Sequence, residues 1–304
     1  SLFSKNQPYP ILQILADVDK ATNFTSCFEH HNIKNAKQRP GAETFFGGIM
    51  GYGFDIGTKR IAQISKGING NTLENTINWY FTLDSLYAAN NLFAEHINNL
   101  SLSNMFLRQQ EKLHTASDGQ KFEVATDSLN ANYSFKYGGN QKALSVYSFT
   151  DEKGRIPYNT AFSSSEREAP FVIDGLMHND EIRSDIHSTD THGFTETIFA
   201  ATHMLGIFFA PRIKNLKKQT IYSFKENKIR DYKDKNYKIL PTEYIDEDLI
   251  KENWDDILRL IVTIKLKHST ASQIFKRLSS YAKQNPLYQA LKEFGRITKR
   301  YEPR

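Results

Sequence analysis

The sequence predicts a mixed α/β fold in which a strand-rich middle section lies between two helical sections. Apolar side chains follow roughly helical spacing from residue 71 to about residue 98, and again in three stripes beyond residue 250. Between them are short runs rich in β-forming residues, such as QKALSVYSFT at 141–150. The 304 residues, 39% of them hydrophobic, are enough to bury a large core.

Residues 1–110 are predicted to form a helical region that precedes the core. Asn71 and Glu74 resemble a capping box, and the periodic pattern after them predicts a helix that continues to about Asn98. Five glycines between residues 47 and 57 divide the preceding stretch into short pieces.

Residues 111–225 are predicted to form a core of strands with a helix. The predicted strands are Lys121–Thr126, Gln141–Thr150, Glu168–Met177, Arg183–Asp190 and Ile207–Ala210, with a turn at 138–140 and a helix over Gly193–Leu205. The apolar run within Glu168–Met177 is typical of a central strand. Several strands, an acid, a helix and a further strand indicate a mixed α/β sheet.

Residues 226–304 are predicted to form a charged, mostly helical insertion or continuation. Its three apolar stripes begin at Trp254, Ile274 and Leu287, and Pro286 suits the start of the last helix.

Composition narrows the class of protein. The single cysteine, Cys27, excludes an internal disulfide scaffold and a cysteine-based zinc cluster. No apolar run approaches the ~18 residues of a membrane span, so we expect a cytoplasmic protein. The first residue is Ser1 rather than methionine, which indicates a piece of a longer polypeptide.

Two aspartates are the candidate catalytic and metal-binding residues. Asp118 lies at or just after a predicted strand, and Asp190 lies where a strand meets a helix. If the two strands are neighbours, both carboxylates project from the same edge, which suits a divalent cation. Asp-Gly and Asp-Thr pairs also occur as turns and helix caps, so this alternative stays open.

The other polar motifs make a weaker case. His187 and His192 flank Asp190 and are candidates to assist it, whereas Asp174 is interpreted as a turn residue. The chain contains no HExxH pair, Walker A loop, GxGxxG fingerprint or serine nucleophile elbow.

Charge is distributed in blocks. Residues 211–240 hold ten basic and three acidic side chains, a net of +7, whereas the whole chain carries +5. Residues 241–256 are strongly acidic and residues 257–304 are again basic. One interpretation is solvated helix faces; the other is a surface for nucleic-acid phosphates. The candidate DNA-binding residues are Arg212, Lys214, Lys217 and Lys218.

Four long strings of residues, in order, resemble the catalytic region of Tn3-family transposases. They are SDGQKFEVATDSLNANYSFKY, VIDGLMHND, HSTDTHGFTETIFAATHMLGIFFAPRIKNL and NPLYQALKEFGRI. The segment ILADVDKATNF and the region around Trp79 resemble the helical part that precedes that region, so the resemblance covers essentially the whole chain.

The resemblance implies a DDE transposase with an RNase H-like fold. Such enzymes use two aspartates and one glutamate to hold two Mg²⁺ ions, with Mn²⁺ as a substitute. They cut the 3′ ends of the transposon and join them to target DNA in replicative transposition. Asp118 matches the first acid and Asp190 the second. The expected partners are transposon-end and target DNA and, in a homodimer, a second copy of the chain. A nucleoid-associated location follows.

The family's glutamate lies downstream of the FGRI block, beyond Arg304. Glu293 and Glu302 match no motif, so no third acid is assigned in this chain, and the RNase H-like sheet is expected to stop before its last helix. The alternative function is therefore a catalytically inactive remnant that binds DNA or an intact transposase. A stand-alone RNase H-like nuclease is disfavoured because blocks outside the acids also match.

Overall fold

The computed structural model describes most of the chain and divides it into two compact units, Ser1–Leu100 and Ser101–Arg304. The described residues are 8–32, 39–109, 112–124, 128–133, 142–178, 182–191, 193–215, 218–225, 229, 232, 240–281 and 285–301. Among them, no helix has the length and apolar character needed to cross a membrane.

The first unit is built of helices. They are α1 (Ile11–Thr22), α2 (Ala42–Gly53), α3 (Thr58–Ile64), α4 (Gly70–Tyr80) and α5 (Leu83–Asn99), with a short 3₁₀ helix at Phe24–Cys27. Its core contains the fully buried rings of Phe24, Phe28 and Phe45. The ring centroids of Phe28 and Phe81 lie 4.8 Å apart. The helical character predicted for this part of the chain is confirmed.

The predicted capping box at Asn71 is wrong by two residues, and the single long helix is two helices. Asn69 caps α4, because its side chain accepts hydrogen bonds from the backbone N–H groups of Asn71 and Thr72. The helix ends at Tyr80, and Thr82 starts α5 by accepting from the Ser85 N–H. Apolar spacing alone does not show such a break, because both helices bury the same kind of face.

The second unit contains a six-stranded mixed sheet. Its strands are β1 (His114–Glu123), β2 (Asn132–Tyr133), β3 (Lys142–Asp151), β4 (Asn159–Ser163), β5 (Ile186–Thr189) and β6 (Phe208–Phe209). The order across the sheet is β2-β3-β1-β5-β6, and β4 also pairs with β3. β1 is antiparallel to β3 but parallel to β5, and β5 is parallel to β6. The predicted mixed α/β class is confirmed.

Two helices connect the parallel strands: α6 (Ala169–Met177) links β4 to β5, and α7 (Glu196–Met204) links β5 to β6. The predicted central strand at Glu168–Met177 is therefore wrong. Pro170 lies in the first turn of α6, where its missing N–H costs nothing, and residues 171–176 are all buried. A short, fully buried apolar run has the same pattern in a strand and in a helix.

The rest of the second unit is mostly helical. A 3₁₀ helix (Ser101–Phe106) opens it, and the two-residue strands β7 (Tyr222–Ser223) and β8 (Glu243–Tyr244) pair in parallel. The last helices are α8 (Glu247–Glu252), α9 (Trp254–Lys265), α10 (Ala271–Ser280) and α11 (Pro286–Tyr301). The three helices predicted from the apolar stripes are confirmed, and Pro286 begins the last of them.

Glycine allows two elements of this unit to approach closely. A Cβ atom added at Gly295 of α11 would lie 1.7 Å from the carbonyl oxygen of Glu196, the first residue of α7. At Gly175 of α6 it would lie 2.2 Å from the ring of Phe149. Both distances are far below van der Waals contact, so a side chain at either position requires the packed elements to separate.

Candidate active site

The sheet brings Asp118 and Asp190 to neighbouring positions on adjacent strands. The parallel register pairs Ser117 of β1 with Thr189 of β5, so the next residues along the two strands are the two aspartates. Ser117 and Thr189 are buried, whereas Asp118 is exposed and Asp190 is half-buried. Because side chains alternate along a strand, Asp118 emerges on the face opposite the buried core, and Asp190 directly follows the last residue of β5.

Backbone N–H groups of glycines hold both carboxylates. Asp118 Oδ1 accepts a hydrogen bond of 2.8 Å from Gly119, and Asp190 Oδ1 accepts one of 3.0 Å from Gly193. A Cβ atom at Gly193 would lie 2.7 Å from Cβ of Thr189, so this tight turn favours glycine. An ionised carboxylate has about four lone-pair sites, so a single hydrogen bond does not saturate it.

A buried polar network lies under the acids, on the core face of the sheet. The ring of His187 joins β5 to β1, with Nδ1 2.7 Å from Thr115 Oγ1 and Nε2 2.8 Å from Ser117 Oγ. Ser117 also donates to the hydroxyl of Tyr147 on β3, over 2.9 Å. Hydroxyl groups can donate or accept, so they satisfy both nitrogens of a neutral imidazole.

His187, a candidate to assist Asp190, instead hydrogen-bonds to Thr115 and Ser117 on the core face of the sheet. The ring is fully buried and stacks on Phe149 with a centroid distance of 5.1 Å. Burial, with a smaller contribution from His114, lowers the pKa of His187 to about 3. Its place three residues before Asp190 puts it on the opposite face of β5. His192, the other flanking histidine, lies outside the described residues.

Sequence reasoning missed Glu168, a third carboxylate near the two aspartates. A Cβ atom at Gly119 would lie 2.7 Å from the Glu168 carboxyl carbon, so this carboxylate occupies the space that the missing side chain leaves. Burial raises the pKa of the Tyr147 hydroxyl, and Glu168, Asp190 and Asp118 raise it further, in that order. All three carboxylates therefore contribute to the electrostatic environment of this phenol. In the sequence, the only signal for Glu168 is its place just before Pro170, which marks the start of a helix.

The donor set suits a hydrated hard cation. Within the described part of the chain, no three histidine, cysteine, aspartate or glutamate side chains converge on one point as a metal-binding group. Mg²⁺ is commonly held by one or two carboxylates together with waters and substrate phosphates. Two adjacent aspartates fit that pattern.

Glu293 has a structural role. It is buried, its Oε2 accepts from the Asp246 N–H, and it pairs with Arg296. Glu302 lies outside the described residues.

Of the four candidate DNA-binding residues, Arg212 lies beside the acids. Its backbone N–H donates to the carbonyl of Thr189, and its own carbonyl accepts from Thr191 Oγ1. Arg212, Lys214 and Lys218 are exposed, as phosphate contacts require. Lys217 lies outside the described residues.

Asp174 is not the turn residue that the sequence suggested. It lies inside α6, is 4% exposed, and accepts from the Ser272 N–H over 3.2 Å at the start of α10. Burial raises the pKa of this carboxyl, and the hydrogen bonds from Ser272 oppose the shift. It therefore joins two helices of the core.

A mixed sheet in which two aspartates directly follow paired residues of adjacent parallel strands offers carboxylate ligands to a divalent cation. Comparison with known proteins identifies the family. Residues 13–301 match the Tn3 transposase DDE domain. The chain is 30% identical over 300 residues to the transposase for transposon Tn1546 of Enterococcus faecium, covering 98% of this chain and 30% of that protein.

Two further relatives agree. The transposase for transposon Tn2501 of Escherichia coli is 34% identical over 293 residues, covering 95% of this chain and 29% of the relative. The transposase for transposon Tn501 of Pseudomonas aeruginosa is 31% identical over 290 residues, covering 94% and 28%. The chain belongs to the Tn3 transposase family, and it spans about three tenths of the length of these relatives.

Proposed function

We propose that this chain is the catalytic region of a Tn3-family transposase, in which Asp118 and Asp190 hold divalent cations for DNA 3′-end cleavage and strand transfer. The observation that carries the proposal is the parallel register of β1 and β5, which pairs Ser117 with Thr189, the residues directly before the two aspartates. Transposon-end DNA and target DNA are the proposed substrates, and a homodimer is the proposed assembly.

The sheet topology supports an RNase H-like fold for this region. Three antiparallel strands (β4, β3, β1) are followed by two strands (β5, β6) that run parallel to β1. Helices α6 and α7 make the connections to β5 and β6. The proposed catalytic core, residues 111–225, contains all of these elements, and residues 226–304 form the proposed helical continuation.

The proposed metal ligands are the carboxylates of Asp118 and Asp190, and the proposed metal is Mg²⁺, with Mn²⁺ as a substitute. When bound, such ions activate a water or a 3′-hydroxyl and stabilise the leaving oxygen of a phosphodiester. The protein's own contribution is orientation. The glycine N–H groups fix both aspartates, and the buried His187 network fixes the strands below them.

Mn²⁺ titration calorimetry tests the metal site. Asp118→Asn and Asp190→Asn each remove one anionic ligand at nearly constant volume, so we expect Mn²⁺ affinity to fall at least tenfold in each. Asp256→Asn, on the exposed surface of α9, is the matched control and should bind like the wild type. Unchanged binding in both site variants would overturn the assignment.

A nicking assay on transposon-end DNA separates the two functions weighed from the sequence. A chain that nicks or joins DNA with Mg²⁺ supports the catalytic proposal. A chain that binds DNA but neither nicks it nor binds Mn²⁺ supports the inactive remnant.

The exposed cations beyond β6 make a prediction about DNA affinity. Replacing Arg212, Lys214 and Lys218 together with glutamine should flatten the log–log dependence of DNA affinity on salt by about one unit per lost phosphate contact. The control replaces three exposed cations of α8 and α9, namely Lys251, Arg259 and Lys265, with glutamine. Equal slopes in the two triple variants would mean that the first three residues are ordinary surface.

A further inference from the structure

A cleft of about 480 Å³ in the second unit is lined in part by Glu166, Arg167, Ala169 and Pro170. Arg167 and Ala169 line this cleft, whereas the carboxylate of Glu168, between them in sequence, packs against Gly119, the neighbour of Asp118. One short stretch of backbone therefore forms both the wall of the cleft and the flank of the candidate active site. The volume is within the range of small-ligand sites in proteins.

The lining combines the groups that bind a nucleotide. Arg167 is exposed and offers a guanidinium, the group best shaped to hold a phosphate. Tyr288 of α11 is a half-buried aromatic ring in the wall. Six hydroxyl side chains complete the polar surface: Ser163, Ser165, Thr195, Thr197, Ser272 and Ser279.

The electrostatic setting favours an anion near Arg167. The other cation of the wall, Lys276, is neutralised by Glu166 at 2.8 Å, which leaves Arg167 as the positive group of this wall available to a ligand. The first turns of α6 and α7 also reach the cleft, at Pro170 and Thr197. Helix N-termini carry partial positive charge, which adds to the attraction at α6, whereas the carboxylate of Glu196 in the first turn of α7 offsets it there.

Arg167 and Tyr288 line the same cleft. Burial raises the pKa of the Tyr288 hydroxyl; the charge of Arg167 partly opposes this shift, and the charge of Glu196 adds to it. The phenol therefore stays protonated at neutral pH, so its hydroxyl can donate a hydrogen bond to a ligand whose phosphate Arg167 holds.

We propose that this cleft binds one nucleotide of the DNA strand that passes the aspartates, with its phosphate at Arg167 and its base against Tyr288. The proposal rests on the proposed function, because it takes DNA as the substrate. The segment 166–170 then has a second role. By holding the bound nucleotide, it sets the position of the DNA strand relative to Asp118. Single-stranded or unpaired DNA fits better than a duplex, because a base must leave its stack to enter a cleft of this size.

Fluorescence anisotropy with labelled single-stranded oligonucleotides in EDTA tests this site without metal or catalysis. In a series with one abasic position moved along the strand, we expect one position to weaken binding by about tenfold, a typical effect of losing one base–aromatic stack. Tyr288→Leu should abolish the difference between that abasic strand and the intact strand. Arg167→Gln should weaken both strands equally.

The control is Arg259→Gln, an exposed arginine on α9 that lies outside the cleft lining. This variant should keep the wild-type ratio of affinities for the intact and the abasic oligonucleotides. If no abasic position matters, or if Tyr288→Leu keeps the ratio, the cleft does not bind a base and the proposal is overturned. Because these measurements contain no metal, that outcome is independent of Mn²⁺ binding at Asp118 and Asp190, which tests the proposed function separately.

Discussion

Gly295→Ala is expected to lower the free energy of unfolding of the second unit by about 3 kcal/mol or more, the upper end of the range for overpacked sites. The added methyl group would lie 1.7 Å from the carbonyl oxygen of Glu196, and both of the clashing groups belong to helix backbone. Neither helix can relieve the clash by changing a side-chain rotamer. For a unit of this size, the corresponding fall in Tm is about 6–12 °C.

Gly53→Ala is the control, because a Cβ atom at this exposed end of α2 meets nothing within 4 Å. Alanine favours helix over glycine by about 1 kcal/mol, so this variant should be neutral or slightly stabilised. Thermal unfolding followed by circular dichroism measures both. If Gly295→Ala melts at the wild-type temperature, α7 and α11 do not pack as described.

His187→Gln is expected to change how stability depends on pH. The folded protein holds His187 neutral, with a pKa lowered to about 3 from an ordinary 6.5. Between these values the unfolded chain binds a proton that the folded chain excludes, so this histidine makes stability fall as pH falls. The expected slope is up to about 1.4 kcal/mol per pH unit. Glutamine does not titrate, so the variant should lose this part of the slope.

Urea unfolding at pH 7, 6, 5 and 4 compares the two proteins. His114, whose pKa burial also lowers, contributes to both curves and cancels in their difference. At pH 7 the variant should be less stable, because an amide cannot reproduce both bonds to Thr115 and Ser117. Parallel curves from pH 7 to pH 4 would show that His187 is protonated in the folded state and is not enclosed in the network.

The sequence predicts much of the architecture. Alternating β-formers at 141–150 and the apolar stripes after Trp254 report directly on burial, and β3, α9, α10 and α11 appear where these patterns predict them. The prediction of a strand at residues 169–177 is wrong for a physical reason. A segment buried on all sides has no polar face, and so it has no period that would separate a helix from a strand.

The candidate site was predictable only in part. Asp118 and Asp190 were identified from their positions next to strands, but their proximity depends on the pairing of β1 with β5, which no local pattern specifies. Glu168 carries no local signal beyond the helix start, because its importance comes from the space left by Gly119 in another strand. His187 flanks Asp190 in the sequence, but three residues along a strand reverse the face, so its ring lies in the core.

The parallel pairing of β1 with β5 has a consequence for how this region tolerates changes in length. The two aspartates are separated by the strands β2, β3 and β4 and by α6, yet their proximity depends on only four register pairs between β1 and β5. Insertions in the loops between them leave those pairs intact. A shift of one residue in β5 would instead move Asp190 to the core face. The site is thus insensitive to long loop insertions but sensitive to a single residue inserted into a four-residue strand.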